Sequence, residues 1–102
     1  MKTETTKLQK IPYGNAKVIT EYDEYNRIAR RTLRSYETDV VKLEFEYTDT
    51  GIYNRLKVSC PENLFSMTTK KHISAFMQQF TEKTFKEAKE AYLTGKVQIW
   101  KV

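Results

Sequence analysis

The sequence predicts an α+β domain, an antiparallel β-sheet of four or five strands with one long amphipathic helix on one face. Three observations predict it. Residues 41–47 alternate with a strict period of two; residues 73–91 carry apolar side chains at three-and-four spacing; and 102 residues with 39% hydrophobic content suffice for one core but not for two. The chain is read as a single domain over 1–102.

From the start, residues 1–10 are polar and read as a flexible arm. Ile11-Pro12-Tyr13-Gly14-Asn15 follows as a turn, because Pro fixes one dihedral while Gly and Asn tolerate positive φ. The β-branched run Val18-Ile19-Thr20 places a strand over 16–22. Asp23-Glu24-Tyr25-Asn26 turns it into a second strand over about 27–36. Val41, Leu43, Phe45 and Tyr47 then share one face of a half-buried strand, opposite Lys42, Glu44 and Glu46. Thr48-Asp49-Thr50-Gly51 closes a turn into a strand where Ile52, Asn54, Leu56 and Val58 alternate with Tyr53, Arg55 and Lys57. Cys60-Pro61-Glu62-Asn63 interrupts the pattern, since proline donates nothing to a ladder. Ile73, Phe76, Met77, Phe80, Thr84, Ala88 and Ala91 define the buried stripe of a helix over about 69–93. Ser66 or Thr68 is its cap, Glu82–Lys86 or Lys86–Glu90 its surface pair, and Gly95 its terminator. The tail 96–102 alternates again as a last strand, giving the order β-β-β-β-α-β. One helix covers one sheet face, so the opposite face must meet solvent or a partner.

Composition narrows the function. A 30% charged, 13% aromatic chain is too rich in Tyr and Phe for disorder and too charged for a membrane protein. No stretch approaches the ~18 consecutive apolar residues of a spanning helix, and Met1-Lys2-Thr3-Glu4-Thr5-Thr6 has no apolar segment of a secretory signal, so a cytoplasmic protein is expected. The single cysteine, Cys60, has no internal disulfide partner and reads as inert packing. The net charge of +5 is uneven: nine basic residues meet nine acidic ones up to Gly51, and nine meet four from Ile52 onward. Such asymmetry favours an anionic partner, whether nucleic acid, a ribonucleoprotein or an acidic protein surface.

Three clusters are candidate contacts. Arg27, Arg30, Arg31 and Arg34 crowd one strand on both parities. Arg30 and Arg34 either grip phosphates or pair with Glu44 and Glu46 on the neighbouring strand; Arg31 requires a bulge or an edge partner. Tyr53, Arg55 and Lys57 share a face suited to stacking bases or packing a protein hot spot, or else line the rim of a small sheet. Lys70 and Lys71, in Thr68-Thr69-Lys70-Lys71-His72, open the helix where its dipole attracts anions; the alternative is a solvated turn. For catalysis the pattern is poor. His72 is the only histidine, with no Ser-x-Gly elbow, His-Glu-x-x-His or Gly-rich phosphate loop, and Glu44-Phe45-Glu46 lacks a third ligand, which leaves a metal-dependent nuclease as the weakest reading. A non-enzyme without metal or cofactor is expected.

The segment Thr68-Thr69-Lys70-Lys71-His72-Ile73-Ser74-Ala75-Phe76, in a short Lys-, Glu- and Tyr-rich chain, resembles small accessory proteins of Gram-positive plasmids and phages, the anti-CRISPR proteins among them. That resemblance implies an inhibitor that binds a type II CRISPR nuclease or its guide RNA and blocks assembly or target recognition. The alternative is a small basic nucleic-acid-binding regulator, and either reading allows a monomer or a homodimer paired at a sheet edge.

Overall fold

In the computed structural model, residues 2–10, 14–58, 66–94 and 97–102 are described. The sheet is larger than its alternation predicts. Six antiparallel strands run in the spatial order of the sequence: β1 (Thr3–Thr6), β2 (Ala16–Tyr22), β3 (Ile28–Ser35), β4 (Thr38–Thr48), β5 (Gly51–Val58) and β6 (Gln98–Lys101). Between β5 and β6 the described residues form two helices, α1 (Met67–Phe80) and α2 (Phe85–Thr94). The expected turn at Ile11, Pro12 and Tyr13, the break around Cys60 and Pro61, and the cap at Gly95 lie outside the described residues.

Two expectations are corrected. The expected arm is a strand in its described part: Thr3–Thr6 pairs with β2, from Thr3 opposite Glu21 to Thr6 opposite Val18, and Leu8 is fully buried. The threonines give this edge strand its β propensity without an apolar face, which is why alternation is invisible there. The long helix is two. Thr81 leaves helical geometry at φ −139°, and its hydroxyl donates to the Met77 carbonyl at 2.8 Å. Thr84 then caps α2, its Oγ1 accepting from Glu87 N at 3.2 Å and donating to the Glu87 carboxylate at 3.3 Å. With the break in place, the surface contact is Lys83–Glu87 at 3.8 Å rather than the expected Glu82–Lys86 or Lys86–Glu90. Ser66 caps α1 as expected, accepting from Thr69 N at 3.2 Å.

The turns follow their residues. Asp23 Oδ1 accepts from the amides of Tyr25 and Arg27 while Asn26 takes φ 61°, closing β2 onto β3. Gly51 stands at φ 141°, and a Cβ there would meet Lys101 Cε at 2.6 Å. One core lies between the helices and one sheet face, with Val18, Leu33, Val41, Leu43 and Leu56 from the strands and Ile73, Phe76, Met77 and Ala88 from the helices. A bulge in β4 lets the consecutive Val40 and Val41 both be buried, because Leu33 pairs with Val41 while Arg34 pairs with Asp39.

Candidate functional site

The strand registers decide which candidate residues meet. On the face away from the helices, β2 presents Lys17, Ile19 and Glu21, β3 presents Arg30, Thr32 and Arg34, β4 presents Lys42, Glu44 and Glu46, β5 presents Tyr53, Arg55 and Lys57, and β6 presents Ile99 and Lys101. Arg30, Arg34, Tyr53, Arg55 and Lys57 therefore share one open face. Arg31, Lys70 and Lys71 do not, since Arg31 points to the helix side and the lysines sit on α1 beyond it.

The arginines of β3 are largely satisfied within the sheet. Arg30 Nε donates to Glu21 at 2.7 Å, although Glu44 is its partner in register on the other side. Arg34 Nε donates to Asp39 at 2.7 Å, and that hydrogen bond pushes the Arg34 pKa upward. The expected Arg34–Glu46 pairing fails because the antiparallel ladder, with Arg30 opposite Glu44, carries Arg34 away from Glu46, and the Val40 bulge brings Asp39 opposite Arg34 on the open face instead. Glu44 bonds Lys57 instead, at 3.0 Å. Solvent screens such exposed pairs, so they order the surface more than they stabilise the fold.

What the pairs leave over is positive. Lys17, Lys42, Arg55 and Lys101 have no carboxylate within 4 Å among the described residues, against Glu46 as the unpaired acid of this face. Lys42 moreover faces Lys57 directly across the β4–β5 ladder, where Glu44 on Lys57 offsets one of the two charges. Tyr53 stands beside them, its hydroxyl 3.2 Å from Thr50 Oγ1. A basic strand face with one aromatic ring can hold a phosphate backbone and stack a base.

Arg31 needs neither a bulge nor an edge. Its guanidinium lies 4.5 Å from the Phe80 ring centroid and donates to Thr20 Oγ1 at 3.2 Å, which closes the end of α1 onto the sheet. Lys70 and Lys71 are solvated at the start of α1 and form no ion pair among the described residues.

A buried polar cluster escapes the sequence reading. Ser35 Oγ lies 2.9 Å from His72 Nδ1 and 3.3 Å from Thr69 Oγ1, and Ser66 donates to Thr69 at 3.1 Å. Ser35 and His72 are each 2% exposed. The distance is that of a nucleophile and its base, but both side chains are shut off from solvent. The cluster instead pins α1 to the end of β3, and burial holds the His72 pKa below its usual 6.5. Thr69 and His72 fall on the same stripe as Ile73 and Phe76, so helical spacing marks His72 as a core position. Among the described residues no group of His, Cys, Asp and Glu could hold a metal ion, and no helix is long and apolar enough to cross a membrane.

The chain belongs to a family of unknown function (DUF8033), matched over residues 1–94. No curated protein and no solved structure matches it.

Proposed function

We propose that this chain is a non-catalytic binding protein whose open sheet face takes a nucleic acid, bare or as part of a ribonucleoprotein. The observation that carries the reading is a set of cations on this face: among the described residues, Lys17, Lys42, Arg55 and Lys101 stay without carboxylates after Glu21, Asp39 and Glu44 are taken up by Arg30, Arg34 and Lys57. Lys42 adds to it, since it faces Lys57 across the ladder and the nearby Glu44 carboxylate is taken up by Lys57. A shape specialised for chemistry is not needed for this role. A fixed array of strands at ~4.8 Å spacing presents charges at intervals that a flexible single strand can follow.

The resemblance to anti-CRISPR proteins makes a type II CRISPR nuclease or its guide RNA the first specific partner to test, with inhibition by occupying a nucleic-acid surface as the mechanism. Such a nuclease grips its guide through positively charged channels, so a basic inhibitor engages the RNA more readily than the channel wall. The test is fluorescence anisotropy with random-sequence single-stranded RNA across a salt series. The logarithm of affinity is expected to fall linearly with the logarithm of salt, by about 0.7 per phosphate contact. A flat response contradicts the reading. A pull-down with the nuclease, with and without ribonuclease, then separates RNA-borne capture, lost on digestion, from a protein surface that survives it.

A further inference from the structure

Resting on the nucleic-acid reading, we infer that the cleft between the end of α1 and β6 is a slot for one unpaired nucleobase of the bound strand. The cleft encloses about 330 Å³, at the small end of the ~300–1,000 Å³ usual for ligand pockets, and its lining includes Asn54, Gln79, Phe80, Glu82, Trp100 and Lys101. Four features converge there.

Asn54 is 4% exposed, yet its Oδ1 has no hydrogen-bond partner among the described residues. Burying an unmet acceptor is costly, and the ladder position between Phe45 and Trp100 would hold an apolar side chain more cheaply. A half-turn of the carboxamide offers either a donor or an acceptor to the edge of a base. Phe80 and Trp100 supply aromatic walls. The Phe80 ring is fixed by Phe76 at 5.0 Å and by the Arg31 guanidinium at 4.5 Å, and Lys83 Nζ lies 5.3 Å from the Trp100 ring, so both rings are held before anything binds. Glu82 brings a carboxylate acceptor for a base amine, and Gln79, whose Oε1 already accepts from Gln9 N at 3.0 Å, brings its side-chain amide as a donor. Lys101 joins this cleft to the open face: it lines the cleft and stands in register with Tyr53 across the β5–β6 ladder. A strand lying on the open face reaches the slot by turning around the β6 edge, its phosphate passing Lys101. Bases splayed from a single strand onto aromatic side chains and read along their edges are the usual mode of such recognition.

Trp100 is the chain's single tryptophan, so its fluorescence reports the slot directly. The experiment titrates the full chain with AMP, with an RNA octamer and with an abasic octamer of the same length, and repeats this for Asn54→Leu. Saturable quenching by AMP and by the octamer is expected. The abasic strand should bind ~10-fold more weakly, and Asn54→Leu should lose the same factor with its Tm unchanged or raised. Octamer binding without quenching, equal for the abasic strand, overturns the slot while the open-face reading stands. Quenching by AMP with no octamer binding at any salt keeps the slot and removes the open-face reading; neither signal removes both. Because the abasic comparison uses the unaltered chain, it decides the matter even if Asn54→Leu fails to fold.

Discussion

The two faces of the sheet divide the work of this protein. The helix-bearing face is dry: Val18, Leu33, Val41 and Leu43 are wholly buried against Ile73, Phe76 and Met77, and even its polar cluster of Ser35, Thr69 and His72 is closed off. The open face keeps its charges in water, pairing some and leaving Lys17, Lys42, Arg55 and Lys101 over. Apolar burial is worth ~25 cal/mol per Å², whereas exposed ion pairs fall mostly below 1 kcal/mol. Stability should therefore reside in the first face and recognition in the second, and substitutions can separate them.

The largest expected effect is Phe76→Ala, which empties the centre of the helix–sheet contact and should cost ~3–5 kcal/mol in denaturant unfolding. For a domain of this size, whose total is ~5–15 kcal/mol, that leaves a marginal fold. A loss below 1 kcal/mol would mean the core is not where the packing places it. Ser35→Ala comes next, since it strands His72 Nδ1 and should cost ~1–3 kcal/mol. The same cluster gives stability a pH dependence. The folded state holds His72 neutral with its pKa below 6.5, so as pH falls through about 6.5 the unfolded chain takes up the proton first and stability declines until the folded pKa is passed. His72→Gln should flatten the decline between about pH 6.5 and 5, where carboxylates remain mostly ionised; an unchanged slope would place the titration elsewhere. Ser66→Ala removes the α1 cap and should lower stability by ~1 kcal/mol, read as a Tm drop of roughly 4–8 °C. The smallest effect on stability is expected from replacing Lys17, Lys42, Arg55 and Lys101 together by Ala, within ~1 kcal/mol and of either sign, because no ion pair is broken.

How much of this was legible depended on whether a residue's neighbours in sequence are also its neighbours in space. The alternation of 41–47 and 52–58 fixed both faces of the central hairpin, and the 73–80 stripe fixed α1, because periodicity is local. The first strand was hidden by its polarity: Thr3-Glu4-Thr5-Thr6 buries almost nothing, and the apolar Leu8 lies just beyond it. The helix break was written in Thr84-Phe85-Lys86-Glu87, a capping-box spacing masked by apolar residues that happen to continue the stripe across it. The fate of the arginines needed registers no single strand contains. A one-residue bulge at Val40 gave Asp39 to Arg34, and Arg31 found Phe80 from a distant helix. Asn54 was legible only as an inward-facing position, since its missing partner is a fact of packing.

If nucleic acid binds on the open face, a salt titration of two variants shows it. With single-stranded RNA, the Lys17, Lys42, Arg55 and Lys101 quadruple Ala variant should lose about 2 to 3 from the slope of log affinity against log salt, while Lys70→Ala with Lys71→Ala, on the far side of the sheet, leaves the slope unchanged. An unchanged slope in the quadruple variant, with the loss appearing in the α1 pair, would place the interface on the helix side and contradict the division of the two faces.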